Sequence, residues 1–214
     1  MARLARLVIP GVPHHVTQRG NRRQDVFFGK DDYRFYLELL GEHCEKCGLD
    51  IWAYCLMPNH IHLVGVPQTA DSLRAAVAET HRRYTRHVNL REAWRGHLWQ
   101  ERFRSFAMDE AYLYQAVRYV ELNPVRAGLV KRPRDWRWSS ARARLGGKAD
   151  PLLAPAPPLA EFGDWRAYLQ GGMDEETLAR LRMSSRTGRP LGSDGFVADL
   201  ESKTGRSLKP ISSV

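Results

Sequence analysis

Apolar and polar positions along the chain fall into two rhythms. Alternation over residues 13–19 (Pro-His-His-Val-Thr-Gln-Arg) predicts a short strand, stopped by Gly20-Asn21. Tyr33, Tyr36, Leu37, Leu40 and Cys44 recur at helical spacing, so a helix is expected over 31–47, with Asp31 as its cap and Gly48 just beyond it. Residues 50–57 and 60–66 read as strands separated by the Pro58-Asn59 turn. From Asp71 or Ser72 to about His87, Leu73, Val77, Thr80 and Tyr84 mark one face of a second helix. Residues 98–107 read as a further strand, and Asp109 caps a third helix that runs to about Leu122 and stops at Asn123-Pro124.

The first six elements run strand, helix, strand, strand, helix, strand. That order predicts an α+β fold of the ferredoxin-like split βαβ kind, with one antiparallel sheet and helices on one face. The third helix is an addition, and a C-terminal helical extension follows. Residues 146–159, rich in Gly, Pro and Ala, read as a linker. Short helices are expected within 160–183, including Glu175–Met183. The Gly-, Ser- and Lys-containing tail from Ser184 is expected to be disordered unless a partner orders it.

Composition narrows the classes. The 214 residues are 43% hydrophobic, enough for one substantial core and an appendage. A formal charge of +9 points to a polyanionic partner. No run of 18 apolar residues suggests a membrane span, and the start of the chain does not read as a signal peptide. The three cysteines (Cys44, Cys47, Cys55) give no disulfide framework, so a reducing cytoplasm is the natural setting. Cys44-Glu-Lys-Cys47 has no second pair to close a metal site, and reads as small apolar residues ending a helix.

The chemistry concentrates at His60-Ile61-His62. In a strand, residues two apart face the same way, so both imidazoles project side by side as a candidate pair of metal ligands. Two neutral histidines on a half-buried strand can also serve backbone hydrogen bonds alone. What raises the signal is the third helix, where Tyr119 and Asn123 stack four apart on one face, with Gln115 on the same side. Asn123 offers a carbonyl oxygen as a third ligand and Tyr119 a phenol one turn away.

Longer blocks then carry a resemblance. They are His15-Val-Thr-Gln-Arg-Gly-Asn-Arg-Arg23, Met57-Pro-Asn-His-Ile-His-Leu-Val64, Trp99-Gln-Glu-Arg-Phe103, Tyr119-Val-Glu-Leu-Asn-Pro-Val-Arg-Ala-Gly-Leu-Val130 and Trp136-Arg-Trp-Ser-Ser140. In order and spacing they resemble the REP-associated tyrosine transposases, within the single-tyrosine HUH (IS200-like) transposases. The resemblance spans residues 8 to about 145, and divides the chain into a transposase domain at 1–148 and a linker with a helical, basic extension at 149–214. It implies a single-strand DNA transesterase that cleaves and rejoins DNA at repetitive palindromic hairpins, leaving a 5′-phosphotyrosine and a free 3′-hydroxyl. Carried over by position, Tyr119 is the nucleophile, and His60, His62 and Asn123 hold a divalent cation. The implied cation is Mg2+ or Mn2+, although imidazole ligands by themselves suit zinc, nickel, copper or manganese better than magnesium. Glu121, two residues from Tyr119, faces elsewhere, and the chain shows no general base beside the phenol.

Basic stretches mark where DNA would lie. Arg82, Arg83, Arg86, Arg102 and Arg104 fall in a segment interleaved with Tyr84, Trp94, Trp99 and Phe103, aromatics able to stack on unpaired bases. Arg126, Lys131 and Arg132 open a second stretch in which Asp135 is the only acid before Lys148, with Trp136 and Trp138 inside it. Arg19, Arg22 and Arg23 form a third candidate contact. The implied partner is a single-stranded DNA hairpin, with no membrane and no small-molecule substrate, in a bacterial cytoplasm at the nucleoid; monomer and dimer both remain open. Competing readings are a non-catalytic hairpin-binding protein, a replication initiator or relaxase, and a general RNA-binding module.

Overall fold

The computed structural model describes residues 6–208. Strands β1 (His14–Arg19), β2 (Leu49–Met57), β3 (His60–Pro67) and β4 (Arg104–Ala107) form one sheet in the order β2-β3-β1-β4. Each neighbouring pair is antiparallel. Helix α1 (Lys30–Cys47) links β1 to β2, and α2 (Glu79–Arg91), entered through a π-helical turn at Arg74–Ala78, links β3 to β4. This is the split βαβ arrangement that the alternation predicts. The Pro58-Asn59 turn, the Asp109 cap and Gly48 in the left-handed region past α1 all lie where expected.

Strand alternation divides the core in two. Val16, Ile51, Tyr54, Leu56, Ile61 and Leu63 point to one face and pack with Tyr36, Leu40, Leu73, Val77 and Tyr84 of the α1–α2 layer. Ala53, Cys55, Met57, Val64 and Phe106 point to the other face, where α3 (Glu110–Glu121) lays down Leu113, Ala116, Val117 and Val120. The added helix thus covers the face that α1 and α2 leave bare. After it come α4 (Asn123–Arg126), α5 (Ala141–Gly146), α6 (Pro157–Glu161), α7 (Trp165–Gln170), α8 (Glu175–Thr187) and α9 (Asp194–Thr204). Leu159, Trp165, Leu169, Leu181 and Leu191 from this region join the α3-side core, so that core crosses the 148/149 boundary read from sequence.

Several expectations change. The strand expected over 98–107 forms only at Arg104–Ala107. Leu98, Trp99 and Phe103 are buried in the α1–α2 core, and Glu101 takes a positive φ of 60°, so the segment bends instead of extending. The Gln18 amide fastens the bend by donating to the carbonyls of Gln100 (3.2 Å) and Glu101 (3.0 Å). Trp99, Phe103, Trp138 and Tyr84, read as possible base-stacking groups, are core residues; Trp94 is exposed. The tail from Ser184 is ordered through residue 208: α8 runs to Thr187, Ser193 caps α9, and Leu191, Leu200 and Leu208 are buried. Its polar composition hid apolar residues at helical spacing. Residues 209–214 lie outside the described residues. The 146–159 stretch is also tied down: Ala154 N–H donates to the Ile51 carbonyl (2.9 Å) and the Tyr54 hydroxyl to Asp150 (2.7 Å).

Candidate active site

Register builds the site. β1 pairs with β3 so that Thr17 lies opposite His62, Arg19 opposite His60 and His15 opposite Val64. Every second residue shares a face, so His15, Thr17, Arg19, His60 and His62 all project toward the α3 side. The His60 and His62 rings are 5.0 Å apart, edge to face. Tyr119 on α3 sets its ring 5.5 Å from His62 and 5.9 Å from His15, again edge-on. Arg126 places its guanidinium 4.0 Å over the Tyr119 ring and donates to the Tyr119 carbonyl at 3.0 Å. A cation on that ring face interacts favourably with its π electrons and fixes where the phenol can swing.

These groups open into a cavity of about 410 Å³. Its walls include Thr17, Gln18, Arg19, His60, His62, Gln100, Glu101, Arg104 and Tyr119, together with Arg182, Ser185 and Arg186 from α8. Glu101 is its one carboxylate, and it pairs with Arg104 at 3.6 Å. The electrostatics therefore suit a phosphate.

Hydrogen bonds set the imidazoles. Asn59 Nδ2 donates to the Arg23 carbonyl (3.0 Å), which orients the amide, so its Oδ1 must accept from His60 Nδ1 (2.6 Å). His60 is thereby fixed with its proton on Nδ1 and an unshared pair on Nε2, the form a ligand needs. Arg23 offers its carbonyl from a left-handed turn, with φ 53° at Arg22 and 65° at Arg23. Gly20 makes that turn possible, since a Cβ there would meet the Gln24 carbonyl oxygen at 2.2 Å. His62 Nδ1 bonds to His15 Nε2 (3.1 Å), and His15 Nδ1 to Ser185 Oγ (3.4 Å). When Ser185 accepts, His15 takes its second bond from His62 Nδ1–H, and His62 Nε2 is also left bare. All three rings are held neutral. Burial pushes His15 down to about 3. Burial, then the charges of Arg19 and Arg126, push His60 down to about 4. Burial first, then His60 and His15, push His62 well below the ordinary histidine range.

The structure brings together His60, His62, Tyr119, Arg19 and Arg104 as expected from sequence. Asn123 is buried just beyond α3, with its side-chain Nδ2 unpartnered, and does not line the cavity. Among the described residues no cluster of three His, Cys, Asp or Glu forms a metal-binding group. Glu121 indeed faces elsewhere: it is fully buried and accepts from Ser140, Arg144 and the Trp165 indole. Arg22, Arg23, Arg82, Arg83, Arg86, Arg102, Arg126, Lys131 and Arg132 are all exposed. Arg82 and Arg83 are paired with Glu79, and Arg132 with Asp135. Arg82 and Arg102 line a second cavity of about 370 Å³, and Arg126, Lys131 and Arg132 a third of about 450 Å³.

Sequence reasoning missed His15, Asn59 and the α8 residues. Strand alternation could have found His15, which lies two before Thr17 on the histidine face. Asn59 sits beside His60, but after Pro58 its local context signals only a turn. Nothing local marks Arg182 or Ser185, because their approach to β1 and β3 is a tertiary contact across more than a hundred residues.

Fold and site together are an antiparallel sheet with a histidine pair on one of its central strands, β3, and a helix-borne tyrosine set against it. The family model for IS200-like transposases matches residues 10–123, more than half of the 214-residue chain. The chain belongs to that family. It is 29% identical over 108 residues to a Haemophilus influenzae protein named as a REP-associated tyrosine transposase, covering 45% of this chain and 61% of the relative. It is 27% identical over 92 residues to a REP-associated tyrosine transposase of Escherichia coli K12, covering 42% and 53%. The matches thus span less than two thirds of either relative. In three dimensions it superposes on a REP-associated tyrosine transposase solved bound to a REP hairpin, with a TM-score of 0.57 and 23% identity over 76% of this chain and 96% of that one. That likeness establishes the shared fold. Among the described residues no helix is long and apolar enough to cross a membrane.

Proposed function

We propose that this chain is a metal-dependent single-strand DNA transesterase that cleaves and rejoins DNA at repetitive palindromic hairpins through Tyr119. The observation that carries the reading is the packing of the Tyr119 ring against His62, 5.5 Å away, in a cavity walled by arginines. Membership of the transposase family supports the reaction class. The hairpin bound to the structural neighbour supports the partner.

The donor set fits a divalent cation. His60 presents a bare Nε2 and His62 can present another, while Asn123, whose Nδ2 is unpartnered, would have to turn its amide oxygen toward the cavity to serve as a third donor. Mg2+ or Mn2+ completed by water and DNA oxygens is the reading the family implies. Bound there, it would neutralise charge on the scissile phosphate. The chain's own residues do the rest. Arg19 and Arg104 draw the phosphate into the cavity, and Arg126 holds the phenol ring. Tyr119 Oη attacks phosphorus, the 3′-oxygen leaves, and the phosphotyrosine ester keeps the phosphate activated so that a 3′-hydroxyl can reverse the step.

The test uses a labelled single-stranded hairpin from the chain's genomic neighbourhood, incubated with Mn2+. A denaturation-resistant protein–DNA adduct is expected, lost with chelator and in Tyr119→Phe, while hairpin binding survives in the variant. Binding without any adduct would replace this reading with a non-catalytic hairpin-binding protein.

A further inference from the structure

Helix α8 lies beyond residues 10–123, where the family model matches, yet it forms part of the Tyr119 cavity. It presents Arg182, Ser185 and Arg186, spaced so that they share one helical face. On the adjoining side of the helix Leu178, Leu181 and Ser184 are buried, so the helix is seated, not draped. Two bonds fix it to the sheet: Arg104 donates to the Arg186 carbonyl (3.0 Å), and Ser185 Oγ meets His15 Nδ1 (3.4 Å).

The arginines of this region differ in what they hold. Arg180 is taken up by Glu176 and the Tyr112 hydroxyl, Arg104 by Glu101 and the Arg186 carbonyl, and Arg186 leans on Met183 Sδ. Arg182 has no hydrogen-bond or ion-pair partner among the described residues, although it lines the cavity. Arg126, the guanidinium over Tyr119, is held below the ordinary arginine range by burial first and then, against the pull of Tyr119, by the like charge of Arg182. Two like charges near the nucleophile, at a cavity whose lining carboxylate Glu101 is paired with Arg104, are an arrangement that an anion relieves.

We infer that Arg182 is a phosphate-contacting residue of the Tyr119 site, supplied in cis by the C-terminal extension. The inference rests on the transesterase reading above. Its role is to hold a non-bridging oxygen of the scissile phosphodiester as Tyr119 Oη forms its bond to phosphorus and the bond to the 3′-oxygen breaks. The phenol proton passes to water and the departing oxygen takes one from water, so the diester keeps its single negative charge. A guanidinium strengthens its hold as charge concentrates on the equatorial oxygens, so its contribution belongs to the transition state more than to binding.

The experiment compares full-length wild type, Arg182→Ala and Arg182→Lys on the same labelled hairpin. It measures affinity by anisotropy and single-turnover adduct formation at saturating DNA. For Arg182→Ala the affinity is expected to stay within about threefold, because one of many phosphate contacts is lost. The adduct rate is expected to fall on the order of 10²-fold. Arg182→Lys should recover part of the rate, and added methylguanidinium should restore part of it to the alanine variant only. Arg182 is exposed, so the variants keep the fold. An unchanged rate in Arg182→Ala overturns the inference, and so does a raised one, which would make α8 an obstruction over the site. A wild type that binds the hairpin but forms no adduct removes the transesterase reading, and this inference with it.

Discussion

At the scale of single residues, the site depends on which nitrogen of each histidine is free. His60 is the clearer case, because Asn59 can only accept once its Nδ2 is committed to Arg23. Asn59→Leu removes the acceptor without opening space, and lets the His60 proton move to Nε2. If the pair binds a cation, Mn2+ affinity, read by titration calorimetry or by the loss of free-ion paramagnetic signal, should weaken by roughly 10- to 100-fold. An unchanged affinity would remove Asn59 from any part in holding the ligand. The histidine pair and Tyr119 were legible in the sequence because period-two and period-four spacing report a shared face directly. Asn59 was not, since an asparagine after a proline reads as turn chemistry until the carbonyl opposite it is known.

At the scale of elements, α3 carries the candidate nucleophile on one side and a buried carboxylate on another. Glu121 ties three later parts of the chain to this helix: Ser140 at 2.8 Å, Arg144 at 3.1 Å and Trp165 Nε1 at 2.8 Å. Removing one partner of a buried pair leaves the other charge and its hydrogen-bond donors uncompensated. Glu121→Ala is therefore expected to destabilise the chain by about 3 kcal/mol or more, seen as a lower urea midpoint. A surface change such as Glu175→Ala, on exposed α8 positions, should shift it little. The element order and the sheet were readable from periodicity. The length of β4 was not, because Leu98, Trp99 and Phe103 look alike in sequence whether they extend along a sheet or fold under it. The ordering of the tail was hidden for a related reason. Leu191, Leu200 and Leu208 are sparse in a polar stretch, and only the surfaces they meet show that they are buried.

At the scale of the whole molecule, several histidines are stored neutral inside the fold. His81, stacked on Trp99 and bonded to the Tyr36 hydroxyl, is pushed down to about 3 by burial. His14 is pushed down to about 4, with burial outweighing its bond to the Val12 carbonyl. A folded-state value below the unfolded one means the unfolded chain binds more protons between them. Stability is then complete above pH about 6.5, and drains away as pH falls toward 4 and 3. Thermal midpoints at pH 7.5, 5.5 and 4.5 should descend in that order, and His81→Gln should flatten part of the slope. A midpoint that holds level from pH 7.5 to 4.5 would contradict the neutral burial of these rings. The net charge of +9 was plain in composition, but its distribution was not: Arg82, Arg83 and Arg132 are matched by acids, while Arg182 is left for something else.

The cavity draws its walls from β1, β3, the bend before β4, α3 and α8. A ribosome releases these in order, with α8 (Glu175–Thr187) the last of them. A chain made only as far as α3 would hold Tyr119 and both histidines but lack one wall of the cavity and part of the core over α3. The finished pocket therefore appears only once α8 has emerged and packed. Truncated or stalled products would carry the tyrosine and both histidines without the surface that completes the site around them.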